Sequence, residues 1–476
     1  MGNPPLAWAA RNGHEELVKI LLGRDDIDPN KRCEGGQTPL MLAALHGHEG
    51  VVKILLGRDE IDPNQLDDYG QTSLFLAACS GRDEVVKLLL GRDGIDPDKP
   101  NSDGQTPLLG ATSNGHEGVM KILLGRDDIN PDKPDADGRT PLYFAARYGH
   151  EGAVAVLLRR DDVDPDTPDD DGQTPIYIAA RNGYDGVVEM LLAQDDIDPD
   201  TPNDYGQTPL YCAARNGFQR VVEMLLGRDD VEPNTPDDHG QTPLYFAAAN
   251  GHEGVVEMLL AQDDIDPDAP NNYGQTPLYC AARNDHQGVM KMLLGRDDID
   301  PNAPDDDGET PLCCAAECRN EGAVDMLLRQ NDVDPNKPDN QGRTPLLLAI
   351  EAECEGVAQI LLGRDNIDPD KADDKGRTPL LIAAGYGGEE LVKMLLERGD
   401  INPDISDTDG QTPLYLAALN GHEDVVRILL RWDEVNPDNP NKCRQTALSL
   451  AVRNGDSHVI ALLQPRTAAT HSPYYP

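Results

Sequence analysis

The chain has 476 residues, 86 of them Asp or Glu against 41 Lys or Arg, for a formal charge of -45. That balance disfavours nucleic acid as a partner, since binding it needs clustered Lys or Arg to displace counterions. No stretch approaches the roughly eighteen apolar residues of a membrane span, and the absence of any Gly-Lys dipeptide excludes a phosphate-binding loop of the G-x-x-x-x-G-K type.

The chain opens with Met1-Gly2-Asn3-Pro4-Pro5-Leu6, which lacks the basic and apolar run of a secretion signal and carries Leu6 where N-myristoylation favours Ser or Thr. With nine scattered cysteines, this predicts a reducing compartment, the cytoplasm or the nucleus. From Thr38 onward a threonine recurs every 34 residues, thirteen times, to Thr446. Leu or Ile follows two residues later, Ala five residues later (Ala43 to Ala451) and Leu seventeen residues later (Leu55 to Leu463). Pro4, Pro5, Leu6, Ala9, Ala10, Val18 and Leu21 fit the same pattern and make a first repeat with no leading loop. A fixed period of this size means stacked supersecondary units, each too small to close a core alone. The predicted fold is all-α: about fourteen helix-turn-helix repeats joined by hairpin-like loops over 1–463, with a short tail at 464–476.

One repeat illustrates the local logic. Thr242 caps a helix whose first residue is Pro243, where a missing N–H costs nothing. The paired Ala247 and Ala248 let a neighbouring helix approach, and Gly251 supplies the positive φ that ends the helix. A second helix, Glu253 to Leu260, places Val255, Val256, Leu259 and Leu260 on a buried stripe. The stretch 261–274 is rich in Asp, Pro and Asn and predicts a turn-forming finger. Asp285, Arg319 and Glu353 replace the helix-ending glycine in three consecutive repeats, and Ile350 stands where its neighbours have Ala. These departures predict the weakest part of the stack, or a bend, between Asp285 and Cys354.

The Thr-Pro-Leu, Ala-Ala, Gly-His-Glu-Gly-Val-Val and Leu-Leu tracts between Thr38 and Leu56 resemble the ankyrin repeat. The resemblance covers nearly the whole chain. The period of 34 against the usual 33 residues, with paired prolines as in Pro131 and Pro134, is similar to the long ankyrin arrays of filamentous fungi. It implies a non-catalytic scaffold, monomeric and without cofactor, binding a protein or peptide along a concave groove. An alternative is the sensor fragment of a larger receptor of the NACHT-type nucleotide-binding plus ankyrin kind, an expectation fed by the abrupt start of the first repeat.

Candidate chemistry is sparse. The His-Glu pairs (His48-Glu49, His116-Glu117, His150-Glu151, His252-Glu253) lack the second histidine of a metalloprotease helix and recur with the period. Cys314 and Cys318 lie one helical turn apart but form no close metal-ligand pair. Neither pattern predicts an enzyme or a metal site. The aspartate-rich fingers, such as Asp161 to Asp171, serve turns and solubility and would attract a basic partner. The informative variation lies three residues after the threonine, where Tyr143, Tyr177, Tyr211, Tyr245 and Tyr279 follow one another. Arg147, Arg181, Arg215 and Arg283 lie one turn beyond. Tyr205, His239 and Tyr273 occupy finger tips nearby. By the resemblance these positions face the groove, so the tyrosine rings and arginines are expected to form a contact strip for a partner with basic flanks.

Overall fold

The computed structural model describes residues 4–464, so the expected tail, apart from Gln464, lies outside the described residues. Among these, 28 α-helices and one short 3-10 turn form the secondary structure, and no strand occurs. The chain divides into two compact units, Met1–Asp238 and His239–Pro476. Each holds seven helix pairs.

In the first unit, Pro175–Asn182 and Asp185–Leu192 show how a pair forms. Thr174 is extended (φ -79, ψ 164) and its side chain accepts a hydrogen bond from the Tyr177 amide, satisfying one of the free N–H groups at the helix start. Pro175 occupies the first turn, and Gly183 ends the helix in the left-handed region at φ 73. Ile176, Ala179 and Ala180 are fully buried, as are Val187, Val188 and Leu191 of the second helix. The small alanines allow the close stacking of first helices along the unit. The exposed face of the second helix carries Glu189.

Arginines in the finger tie one repeat to the previous one. Arg160 donates through Nη1 to the carbonyl of Leu124 at 2.7 Å and through Nε to Asp162 at 2.7 Å. Arg228 repeats this with Leu192 and Asp230. Each arginine thereby satisfies a carbonyl left without a partner at the end of a short helix. The finger itself is shaped by a buried Asx side chain: Asn203 Oδ1 accepts from the amides of Tyr205 and Gln207, both at 3.0 Å. Adjacent fingers share one backbone hydrogen bond per step, from Asp170 N to Asp137 O and from Asp204 N to Asp171 O, each 3.0 Å.

The second unit follows the same plan from Pro243–Ala249 to Ser457–Leu463. Asp285, Arg319 and Glu353 adopt φ of 55°, 64° and 52°, as their place in the period requires, and Ile350 is fully buried. This segment also contains an ionic network. Arg343 contacts Asp339 at 2.6 Å and Glu309 at 3.2 Å, while Glu351 lies 3.6 Å from Arg343 and 3.0 Å from Arg377. Arg377 in turn holds Asp373 at 2.7 Å. One chain of charges therefore links three consecutive repeats in the segment where non-glycine residues hold a positive φ.

Candidate functional site

The tyrosines begin at the third residue of each first helix, directly behind the capping threonine, and the finger of the next repeat folds over them. Tyr143, Tyr177, Tyr211, Tyr245 and Tyr279 are all buried, with at most 6% exposure. The expected strip of exposed tyrosine faces is corrected accordingly: these rings are part of the stack, because a finger 26 to 30 residues further along covers them. Their hydroxyls hold that finger in place. Asn203 Nδ2 donates to Tyr177 Oη at 3.0 Å, and Tyr177 Oη donates to Gln207 Oε1 at 3.0 Å. Tyr211 Oη donates to Asp237 Oδ2 at 2.9 Å. In the second unit Asn271 donates to Tyr245 Oη at 3.1 Å, and Tyr279 Oη reaches Glu309 at 3.3 Å. Burial, reinforced by Asp237, pushes the Tyr211 hydroxyl above its ordinary pKa, so it stays a donor at any physiological pH.

What these latches leave at the surface is the row of arginines. Arg181, Arg215 and Arg283 are exposed and Arg147 is half-buried. The Arg147 guanidinium lies 5.9 Å from the centre of the Tyr148 ring. Tyr205 and Tyr273 at the finger tips are each 58% exposed, and His239 is exposed. Tyr69, 67% exposed, holds the same tip position four periods before Tyr205 and escaped the sequence reasoning, although the 34-residue register places it there.

Two clefts lie side by side on this face of the first unit. One, of about 520 Å³, is lined by Asp137, Arg139, Arg147, Asp170, Gln173 and Arg181. The other, of about 490 Å³, is lined by Gln173, Arg181, Tyr205, Gln207, Arg215 and Asn216. Gln173 and Arg181 belong to both, so the two clefts adjoin across these side chains. Polar groups dominate the first cleft: the guanidinium groups of Arg147 and Arg181 rise from the helices, and Arg139 and the carboxylates from the fingers. Asn182 and Asn216 are held in position, each donating to a carbonyl of the preceding repeat, Arg147 at 3.4 Å and Arg181 at 3.2 Å. Sequence reasoning missed Gln173, Gln207 and the asparagines because nothing in their type distinguishes them from ordinary surface residues.

The remaining candidates fall elsewhere. His48, His116 and His150 use Nε2 on a carbonyl of the preceding repeat, at 2.9, 3.0 and 3.2 Å. Cys212, Cys280, Cys313 and Cys314 are buried and Cys318 is exposed. Hydrogen bonding from Cys314 lowers the Cys318 thiol pKa, with Arg283 adding to the effect, while Cys314 is raised. Among the described residues no group of three or more His, Cys, Asp or Glu is placed to hold a metal ion, and no helix is long and apolar enough to cross a membrane.

A family model agrees with this architecture. The family model described as Ankyrin repeats (3 copies) matches residues 6–101, 94–169, 154–237, 229–305, 297–373 and 364–441. Among solved structures, the crystal structure of the ankyrin repeat domain of Bcl-3, described as a unique member of the IkappaB protein family, matches with 29% identity and a TM-score of 0.43. That match covers 48% of this chain and 99% of the other. No curated protein matches the sequence.

Proposed function

Because the chain belongs to the ankyrin repeat family, whose repeats are generally protein-protein interaction modules, we propose that it is a non-catalytic scaffold. It binds a protein or peptide along the finger side of its first helices. The observation that carries this reading is the row of Arg147, Arg181 and Arg215, at one offset in successive repeats, bordering two adjoining clefts. Arginine forks to carboxylates and stacks on planar groups, which makes it a frequent interface anchor. The buried tyrosines serve this surface indirectly, by fixing the finger against the helix from which each arginine rises. Finger carboxylates such as Asp169, Asp170 and Asp171 offer a complementary place for basic flanks on the ligand, acting mainly on the rate of association. Tyr205 adds a tip contact in the first unit, and His239 and Tyr273 offer tip contacts of their own in the second. The protein acts as a monomer in the cytoplasm or nucleus and needs no cofactor.

The test is affinity capture with the full chain and with an Arg147→Ala, Arg181→Ala, Arg215→Ala variant. A partner retained by the natural chain should bind the variant more weakly by about 1 to 3 kcal/mol for each anchor lost, with an unchanged melting curve. Equal affinity for both proteins would place the binding surface elsewhere.

A further inference from the structure

Eight residues before the capping threonine, each finger carries either asparagine or aspartate, and the two behave differently. Three of the asparagines, Asn64, Asn302 and Asn336, use both side-chain atoms on the following repeat. Asn64 Oδ1 accepts from the Asp96 amide at 3.0 Å while its Nδ2 donates to the Gly94 carbonyl at 2.7 Å. Asn302 does the same with Asp334 (2.9 Å) and Asp332 (2.7 Å), and Asn336 with Asp368 (2.8 Å) and Asn366 (2.7 Å).

Aspartate makes the first of these bonds and not the second. Asp98, Asp132, Asp166 and Asp200 in the first unit each accept through Oδ2 from a following-repeat amide, at 2.9, 2.8, 2.7 and 3.3 Å. Asp268, Asp370 and Asp404 in the second unit do so at 2.9, 2.8 and 2.9 Å. In all seven, Oδ1 is buried with no hydrogen-bond partner. The 34-residue register puts that oxygen where asparagine has its Nδ2, against the carbonyl of Asp128 for Asp98, of Asp162 for Asp132 and of Asp196 for Asp166. A buried acceptor without a partner then faces a second acceptor, a costly arrangement that a single proton converts into a donor-acceptor pair.

We propose that these seven aspartates are proton-operated latches between repeats. As pH falls below neutral, each takes a proton on Oδ1 and donates the new O–H to the carbonyl of the following repeat. The repeats carrying asparagine are latched at every pH, so the response is confined to the aspartate steps.

The surrounding charges favour proton uptake. Asp166 faces Asp164 on its own finger and Asp196 and Asp198 on the next; Asp200 faces Asp198, Asp230 and Glu232. Asp132 faces Asp162 and Asp164, Asp268 faces Asp266, Asp298 and Asp300, and Asp370 faces Asp368 and Asp400. Asp98 alone has an opposing cation, Lys133, beside Asp96 and Asp128. Several of these neighbours are already paired to an arginine, as Asp162 is to Arg160 and Asp230 to Arg228, so burial contributes the larger effect. It pushes all seven carboxyls upward, Asp166 and Asp200 to about 6. An unfolded aspartate titrates near ~3.9. Between that value and its folded one, each of these aspartates binds more protons in the folded chain, so its contribution to stability grows as pH falls through the folded value, about 6 for Asp166 and Asp200, and is lost as pH rises through it.

The experiment is urea unfolding of the full chain at about pH 7.5 and about pH 5.5. It compares the natural protein with a variant carrying asparagine at all seven positions, and with a charge-matched control that replaces seven exposed aspartates at another offset, among them Asp127, Asp161 and Asp195. The natural protein and the control should show a higher midpoint at the lower pH. The latch variant should be at least as stable as the natural protein at the higher pH and should lose most of the gain. No gain in the natural protein, or equal loss in both variants, overturns the proposal. If the sevenfold variant does not fold, carboxyl NMR of the natural chain decides, with Asp166→Asn and Asp200→Asn assigning the signals. Midpoints near about 6 support the latch, and midpoints near about 4 reject it.

Discussion

Nε2 of His48 lies 2.9 Å from the carbonyl oxygen of Arg11, and the same imidazole fills the space that a side chain on Gly13 would need: a Cβ there would come within 2.7 Å of Nδ1. The helix-ending glycine is thus required twice, for its positive φ and for the ring of the next repeat that rests on it. Gly81 with His116, Gly149 with Tyr184 and Gly183 with Phe218 repeat the relationship. Where Asp285, Arg319 and Glu353 replace the glycine, the residues at the following ring position are Asn320, Cys354 and Gly388, none of which has a ring. Asn320 instead donates to the carbonyls of Ala282 and Arg283 at 3.0 and 2.7 Å. Asp285 contributes a further bond, accepting from the Ala323 amide at 2.9 Å.

This pairing predicts a compensating double substitution. Asn320→His should drive an imidazole against the Asp285 side chain and cost about 1 to 3 kcal/mol, as overpacking does. Adding Asp285→Gly should recover much of the loss. Urea unfolding of the single and double variants checks this, and a double variant no more stable than Asn320→His would count against it.

The ionic network makes Glu351 the central group of the segment Asp285 to Cys354. Replacing it with Ala leaves Arg343 and Arg377 short of a charged partner, at a cost of about 1.5 to 3 kcal/mol. Hydrogen exchange should show the loss of protection concentrated in the repeats joined by these arginines. A uniform loss across the second unit would show that the network does not act locally.

Removing only the hydroxyl of a buried tyrosine separates latch from packing. Tyr177→Phe should cost roughly 1 kcal/mol for its hydrogen bonds with Asn203 and Gln207. Tyr177→Ala should cost about 3 to 5 kcal/mol through the cavity it leaves. Both values come from denaturant unfolding, and a Tyr177→Ala protein as stable as the natural one would place the ring outside the core.

Thiol chemistry should separate Cys318 from the thiols that burial suppresses. Cys318 is exposed and its thiol is lowered by Cys314 and Arg283, whereas burial pushes Cys79 up to about 12 and Cys212, Cys280 and Cys313 to about 11. Because the thiolate is the nucleophile, iodoacetamide near neutral pH should label Cys318 ahead of these four. Its rate should rise with pH and level off earlier than that of an ordinary thiol. Mass spectrometry of a time course reads both features, and Cys314→Ala should slow the labelling.

The repeat architecture was legible because its determinants are local and periodic. Thr174, Pro175 and Gly183 announce a helix start and stop through rules that operate within one turn of chain. The positive φ of Asp285, Arg319 and Glu353 followed from the same register. The placement of Tyr177 and Tyr211 did not, because burial at those positions is decided by a finger of the next repeat, and tyrosine serves equally as an interface anchor or as a buried donor. The difference between Asn64 and Asp98 was likewise invisible at the sequence level, where both read as turn formers. Only the carbonyl of the following repeat tells them apart.

The register of the fingers also bears on how such a gene can change. Each finger makes a backbone bond to the one before it, as Asp204 does to Asp171, and a side chain in the same finger bonds the next, as Asp166 does to Asp198. An insertion or deletion of any other length would break both connections at once, while unequal crossing-over between equivalent codons restores them. Length can therefore be gained or lost in whole quanta of 34 residues, and the thirteen evenly spaced threonines are the trace of that restriction.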